Sequence, residues 1–200
     1  LVHQWLHVFR MQPGQRVVLC DGKGSEAEAE LTEIAKRSVT VRVDASRVCQ
    51  TELPHPLTLA FALLKRENIE LILQKGTELG VTTFLPLMTE RTVKTEMKRP
   101  RLEAILKEAM EQSGRGVIPV LAEPVTLLEL LDQQGTNLLC FDEDGTDVLA
   151  PQKGLITVLI GPEGGWSTTE KELLKTKAIT TISMGPRTLR AETAAIAALA

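Results

Sequence analysis

Glu163, Arg187, Arg190 and Glu192 are the side chains whose types and spacing most invite chemistry, and they lie in two stretches built to one grammar. Residues 155–167 and 182–194 each run from a short apolar, β-branched segment through a glycine–proline loop into a helical pattern. A continuous apolar run reads as a parallel strand buried on both faces, and open α/β sheets bind ligands in the crevice beyond the carboxyl ends of such strands. In the first loop, Gly161, Gly164 and Gly165 let main chain approach a ligand without side-chain obstruction, while Pro162 stiffens the bend. One such loop alone reads equally well as an ordinary strand-to-helix turn. Two loops, the second bringing Arg187, Arg190 and Glu192 to a helix start, point to a small-molecule site made largely of backbone.

The elements that would position these groups follow from local patterns. Ser167 with Glu170 fits a capping box that starts a helix after the first loop. From residue 57 onward, apolar runs alternate with helical periodicity, the signature of a parallel sheet. Strands are expected over 57–64, 82–88, 118–121 and 137–141. Helices are expected over 67–79, with Gly80 at its end, over 102–112, and over a short segment begun by Thr126 and closed by Gly135. Phe141 to Glu143, at the end of a strand, would border the ligand site. The acidic run 142–147 has the opening spacing of a calcium loop but lacks the later glutamate and flanking helices, so a solvated turn is expected and no metal. No G-x-G-x-x-G follows a strand and no G-x-x-x-x-G-K-[ST] occurs, which removes the two commonest phosphate-loop readings.

Upstream the pattern is β. Residues 16–20 form a compact apolar run, Asp21-Gly22 opens a turn, and Ala27, Ala29 and Leu31 alternate with glutamates before Val39, Val41 and Val43. A small barrel or meander fits, with residues 36–38 as its connecting turn and a short helix before it packing Trp5, Leu6 and Phe9. The two prolines around His55 mark a linker near 51–56. The 200 residues, 43% hydrophobic and 24% charged, are those of a soluble globular protein. No run approaches a membrane span and no signal-peptide pattern opens the chain, so a cytoplasmic location and no membrane partner are expected. Cys20, Cys49 and Cys140 are scattered and read as small buried residues. The alanine-rich helical pattern still running at residue 200 is what a chain trimmed there would show. A net charge of −3 and 3% aromatics argue against nucleic acid as a general partner, although a local basic face remains open.

At these same residues the chain resembles a known family. L-I-G-P-E-G-G followed by S-x-x-E, then G-P-R-x-L-R-x-E-T-A, is similar to the RsmE-type 16S ribosomal RNA (uracil-N3)-methyltransferases of the SPOUT superfamily. Further matches are Gln74-Lys75, residues 77–80, Pro86-Leu87, residues 89–91, residues 108–109 and 111–115, and, near the start, residues 7–11, Pro13-Gly14 and Asp21-Gly22. The resemblance covers nearly the whole chain in the right order. It implies an α/β fold with a SPOUT-type knotted parallel sheet flanked by helices, and a small N-terminal PUA-like β-barrel. Residues 1–52 would be the RNA-binding barrel and 57–200 the methyltransferase domain.

S-adenosylmethionine would then be held by Phe141, Ile160, Gly161, Pro162, Glu163, Gly164, Gly165, Met184, Gly185 and Leu189, with backbone pairing the adenine edge and apolar walls covering its faces. Methylating uracil N3 requires removal of an imide proton or stabilisation of the deprotonated ring. Arg190 would help hold the anionic base, with Arg187 as second choice and Glu163 as proton acceptor or sulfonium neighbour; bracing of the loops or of a dimer interface is the competing role for these charges. RNA would be gripped by Arg10, Lys94, Lys98, Arg99, Arg101 and Arg115. The expected partners are small-subunit ribosomal RNA or the ribosomal subunit, and a second copy in a homodimer. Between Arg91 and Leu102 the chain is shorter than the family pattern, and Arg101-Leu102 stands where an Arg-Trp pair is expected. The rival readings are a non-catalytic RNA-binding or assembly protein and a knot methyltransferase acting on transfer RNA.

Overall fold

The computed structural model describes residues 2, 4–92, 96–132, 137–146 and 154–200. They form two compact units, one of residues up to Glu52 together with Gly114–Val117, the other of Leu53–Ser113 and Ile118–Ala200.

The first unit is an antiparallel meander of β1 (Arg16–Cys20), β2 (Ser25–Ile34) and β3 (Val39–Val48), in the order β1-β2-β3. Alternation in β2 decides its faces. Ala29 and Leu31 are fully buried, while Glu26, Glu28 and Glu30 line the opposite face beside Arg16, Arg42, Arg47 and Asp44. Those charges pair across the strands: Arg47 with Glu26 at 2.6 Å, Arg42 with Glu30 at 2.6 Å, and Arg16 with Asp44 at 2.9 Å. Exposed pairs of this kind contribute only about 0.2–1 kcal/mol each, so they favour the register more than they stabilise the sheet. At the first turn the Asp21 carboxylate accepts from the backbone N–H groups of Lys23 and Ser25, and these bonds hold its pKa below the ordinary range. A short π-helical segment, Gln4–Val8, precedes the sheet. Trp5 and Leu6 are half-buried, but Phe9 is 62% exposed. The helical segment stops before Phe9, and the chain turns at Arg10, whose φ is 49°, so the expected packing of Phe9 is not made.

Gly114–Val117 completes this unit. Val117 bridges Lys23, and Gly116 accepts from the Gly24 N–H. The Arg115 guanidinium, 4% exposed, meets Glu52 at 2.6 Å, and Glu52 also accepts from the backbone N–H groups of Gly116 and Val117. Burial works against the Glu52 charge, but Arg115 and the two N–H groups outweigh it and leave its pKa below normal.

The second unit is a parallel sheet with helices on both faces. Its elements are β4 (Leu57–Ala62), α1 (Arg66–Glu78), β5 (Thr83–Met88), α2 (Arg99–Ser113), β6 (Val120–Leu121), β7 (Val125–Thr126), α3 (Leu127–Asp132), β8 (Asn137–Phe141), β9 (Ile156–Ile160), α4 (Thr168–Thr176), β10 (Thr180–Ile182) and α5 (Ala191–Leu199). The strand order is β10-β8-β9-β4-β5-β6, with β7 also on β5, and every pair is parallel. The apolar runs of β4, β8 and β9 hide a period of two. Leu59, Phe61, Leu139, Phe141, Val158 and Ile160 face one core with Ile69, Ile72 and Leu106. Ala60, Cys140 and Leu159 face the other with Leu130, Trp166 and Leu174. Both faces are dry, which is why these strands read as unbroken apolar sequence. The expected α2 begins at Arg99, three residues earlier than its apolar spacing suggests, because Arg99 reaches Glu103 one turn on and Arg101 reaches Glu70 of α1.

Candidate functional site

Because β4, β8, β9 and β10 run the same way, their carboxyl ends open at one edge of the sheet. A cavity of about 570 Å³ lies there. Its walls come from the start of α1, the exits of β8 and β9, and the loop from β10 into α5.

The loop after β9 is rigid for identifiable reasons. Gly165, with a φ of 69°, donates to the Pro162 carbonyl at 2.8 Å and closes a tight turn that a side chain would strain. The capping box forms as expected: the Ser167 N–H donates to Glu170 at 2.8 Å and the Glu170 N–H to the Ser167 hydroxyl at 3.1 Å. Glu170 is buried, and its other carboxylate oxygen accepts from the Glu90 N–H beyond β5. The neighbouring Arg91 donates to the Gly164 carbonyl at 2.6 Å. Asn68 donates to Glu163 at 3.2 Å.

The other two walls lock together. Asp142 donates its N–H to the Ile182 carbonyl, and Gly145 lies so close to backbone that a Cβ there would stand 2.4 Å from the Ile182 carbonyl carbon. Lys171 of α4 reaches Asp144 at 2.5 Å and Asp142 at 3.0 Å, and these carboxylates raise its pKa above the ordinary range. Thr188 donates to Glu143 at 3.3 Å. Cys140, the last-but-one residue of β8, points away from the cavity into the second core. Burial first, then Asp142, pushes its thiol up to about 12 while the Trp166 indole N–H opposes the shift.

The charges left over define what the cavity can do. Arg187 and Arg190 are exposed at its wall and make no ion pair among the described residues. Glu192, in the first turn of α5, is 8% exposed, and its Oε2 has no hydrogen-bond partner. Ile160, Met184 and Leu189 add apolar surface. Apolar walls, bent backbone, two guanidiniums and an unmatched buried carboxylate oxygen suit a ligand with a flat heterocycle and a cationic or proton-donating group. Among the described residues, no group of three or more His, Cys, Asp or Glu side chains could hold a metal ion.

Every expected donor-binding residue except Gly164 lines this cavity, as do Arg190, Arg187 and Glu163. Gly164 is exposed and serves as the acceptor for Arg91. The expected RNA contacts scatter. Arg10 is exposed in the first unit, Lys98 is exposed just before α2, and Lys94 lies outside the described residues. Arg99 is tied to Glu103 and Glu123, and Arg101 to Glu70, whose carboxyl pKa falls to about 2 chiefly through that bond. Arg115 is only 4% exposed and its guanidinium is held by Glu52, so the side chain expected to reach RNA is buried in an ion pair. Sequence reasoning missed Lys65 and Asn68, which the exit of β4 could have flagged, and Thr188, for which no local signal exists, whereas Asp142 lies in the 141–143 segment expected to border the site.

Comparison with known proteins agrees with this layout. Residues 51–200 match the RNA methyltransferase domain family and residues 6–44 the RNA methyltransferase PUA domain family. A ribosomal RNA small subunit methyltransferase E from Synechocystis sp. is 36% identical over 211 residues, covering 100% of this chain and 69% of the relative. The protein of that name from Bacillus subtilis is 33% identical, covering 99% of this chain and 85% of the relative. The crystal structure of the Neisseria gonorrhoeae counterpart, bound to S-adenosyl methionine, matches with a TM-score of 0.90 at 30% identity, over 99% of this chain and 86% of that one.

Proposed function

The chain belongs to the RNA methyltransferase family of the ribosomal RNA small subunit methyltransferase E type, and from that premise we propose that it transfers a methyl group from S-adenosylmethionine to N3 of a uridine in small-subunit ribosomal RNA. The observation that carries this reading is the cavity at the strand exits, whose walls are the two loops that bear the family motif. The Neisseria relative bound to the same donor supports it.

The donor supplies an already electrophilic methyl group, so the protein needs neither a metal nor a covalent intermediate. Its task is to align donor and acceptor and to keep water out. Residues 161–165 and 184–189 hold the donor through backbone groups, with Ile160, Phe141, Met184 and Leu189 against its heterocycle and Glu163 near its cationic centre. Arg190, with Arg187 beside it in sequence, holds the negative charge that uracil acquires when N3 loses its proton. The first unit, through Arg10, and Lys98 ahead of α2 grip the RNA backbone. Residues 1–52 act as the RNA-binding domain and 57–200 as the methyltransferase domain, in a cytoplasmic homodimer.

Calorimetry with S-adenosylmethionine and nucleoside mapping of small-subunit RNA from cells lacking the gene test this together. Saturable donor binding and loss of 3-methyluridine from that RNA are the expected results. No binding heat would favour a non-catalytic RNA-binding protein, and loss confined to transfer RNA would overturn the substrate.

A further inference from the structure

The cavity wall carries five carboxylates, and four of them are accounted for. Asp142 is paired with Lys171, Glu143 accepts from Thr188, Glu163 accepts from Asn68 and is exposed, and Glu67 is exposed in the first turn of α1. Glu192 differs from all of these. It is more than nine-tenths buried, it lines the cavity, and its Oε2 has no partner. A helix N-terminus accounts for an acid in the first turn of α5, but not for burying it with an oxygen unmatched, since such a group costs about 1–3 kcal/mol where water cannot reach it. An unmatched buried group in a native chain calls for an explanation, and a catalytic role is one. Glu192 also follows Arg190 by two residues, so one short segment brings to the same cavity both the cation suited to an anionic base and an acceptor without a donor.

We propose that Glu192, and not Glu163, receives the N3 proton of the target uracil. This rests on the methyl-transfer reading above. The N3–H bond breaks and its proton passes to Oε2 of Glu192. The electron pair left on N3 forms the new N–C bond to the methyl carbon as the donor's S–C bond breaks, and that bond's pair stays on sulfur, which becomes a neutral thioether. Glu163, already engaged by Asn68 and open to solvent, shapes the donor loop instead.

The test compares the wild-type full chain with Glu192→Gln, Glu192→Asp and Glu163→Gln, using donor affinity by calorimetry and single-turnover transfer to small ribosomal subunits from cells lacking the gene. Glu192→Gln should bind the donor within about threefold of wild type. Its transfer rate should fall by about 10²–10⁴-fold and recover as pH rises into the range where the imide ionises unaided. Glu163→Gln, which alters the donor loop, should weaken donor binding but keep the wild-type pH profile of transfer. Glu192→Asp should bind the donor normally and transfer slowly, with a wild-type pH profile, and it carries the test if the Gln variant does not fold. Lost donor affinity with a normal rate at saturation would make Glu192 a donor-holding group and overturn the proposal, as would an unchanged rate. A wild-type chain that neither binds the donor nor methylates uridine N3 would sink the functional reading itself.

Discussion

On the outer face of the β1–β3 sheet each strand arginine has a carboxylate beside it, whereas Arg187 and Arg190 at the cavity have none among the described residues. The two regions hold charges of the same kind in opposite states of completion. On the sheet, strand register sets Arg16, Arg42 and Arg47 against Glu26, Glu28, Glu30 and Asp44, and solvent reaches all of them. At the cavity Arg187 and Arg190 make no ion pair among the described residues, and Oε2 of the buried Glu192 has no hydrogen-bond partner. Matched charges settle the fold's own register. Unmatched ones are left available to a ligand or partner.

The sharpest break in that contrast should come from the buried pair. Arg115→Ala strands Glu52 with only two backbone donors, and the loss is expected to be about 3–5 kcal/mol in urea unfolding. The same pair predicts a pH dependence. The Glu52 pKa is depressed in the folded state, so its contribution is present above the ordinary carboxyl range near about 4.3 and fades as pH falls through the folded value. Acid unfolding of wild type should therefore be steeper than that of Glu52→Gln. Next in size, Arg190→Ala should lower turnover by about 10²–10³-fold with donor affinity unchanged. Normal turnover would move Arg190 into the class of sheet arginines. Arg91→Ala, which releases the Gly164 carbonyl, should weaken donor binding by about tenfold, the cost of one charge-assisted hydrogen bond to the loop. The smallest effect belongs to Arg47→Ala: less than about 1 kcal/mol of stability and no change in donor affinity.

Much of the site was legible because its signals are local. Apolar runs ending in glycine and proline placed the residues 161–165 and 184–189 loops, and S-x-x-E placed the start of α4, since each pattern acts within a few residues of itself. The pieces that escaped are set by pairing across the chain. Nothing near Arg115 announces that it will be buried against Glu52, 63 residues earlier, or that Gly114–Val117 joins the first unit. The basic stretch around Arg99 and Arg101 reads from sequence as a grip for RNA, because its neutralising acids, Glu70 and Glu123, come from elsewhere in the sequence. Glu192 was visible as a charge at a helix start, but its unmatched oxygen is a property of the folded wall alone.

Cys140 stands one residue before Phe141, which lines the cavity, yet its sulfur faces the opposite core and its thiol stays protonated up to about 12. A thiolate within reach of a reactive methyl sulfonium would be alkylated by the enzyme's own reagent. The alternation of β8 turns that nucleophile away from the cavity and its dry surroundings keep it uncharged, so a methyl sulfonium bound there as proposed would meet no thiolate.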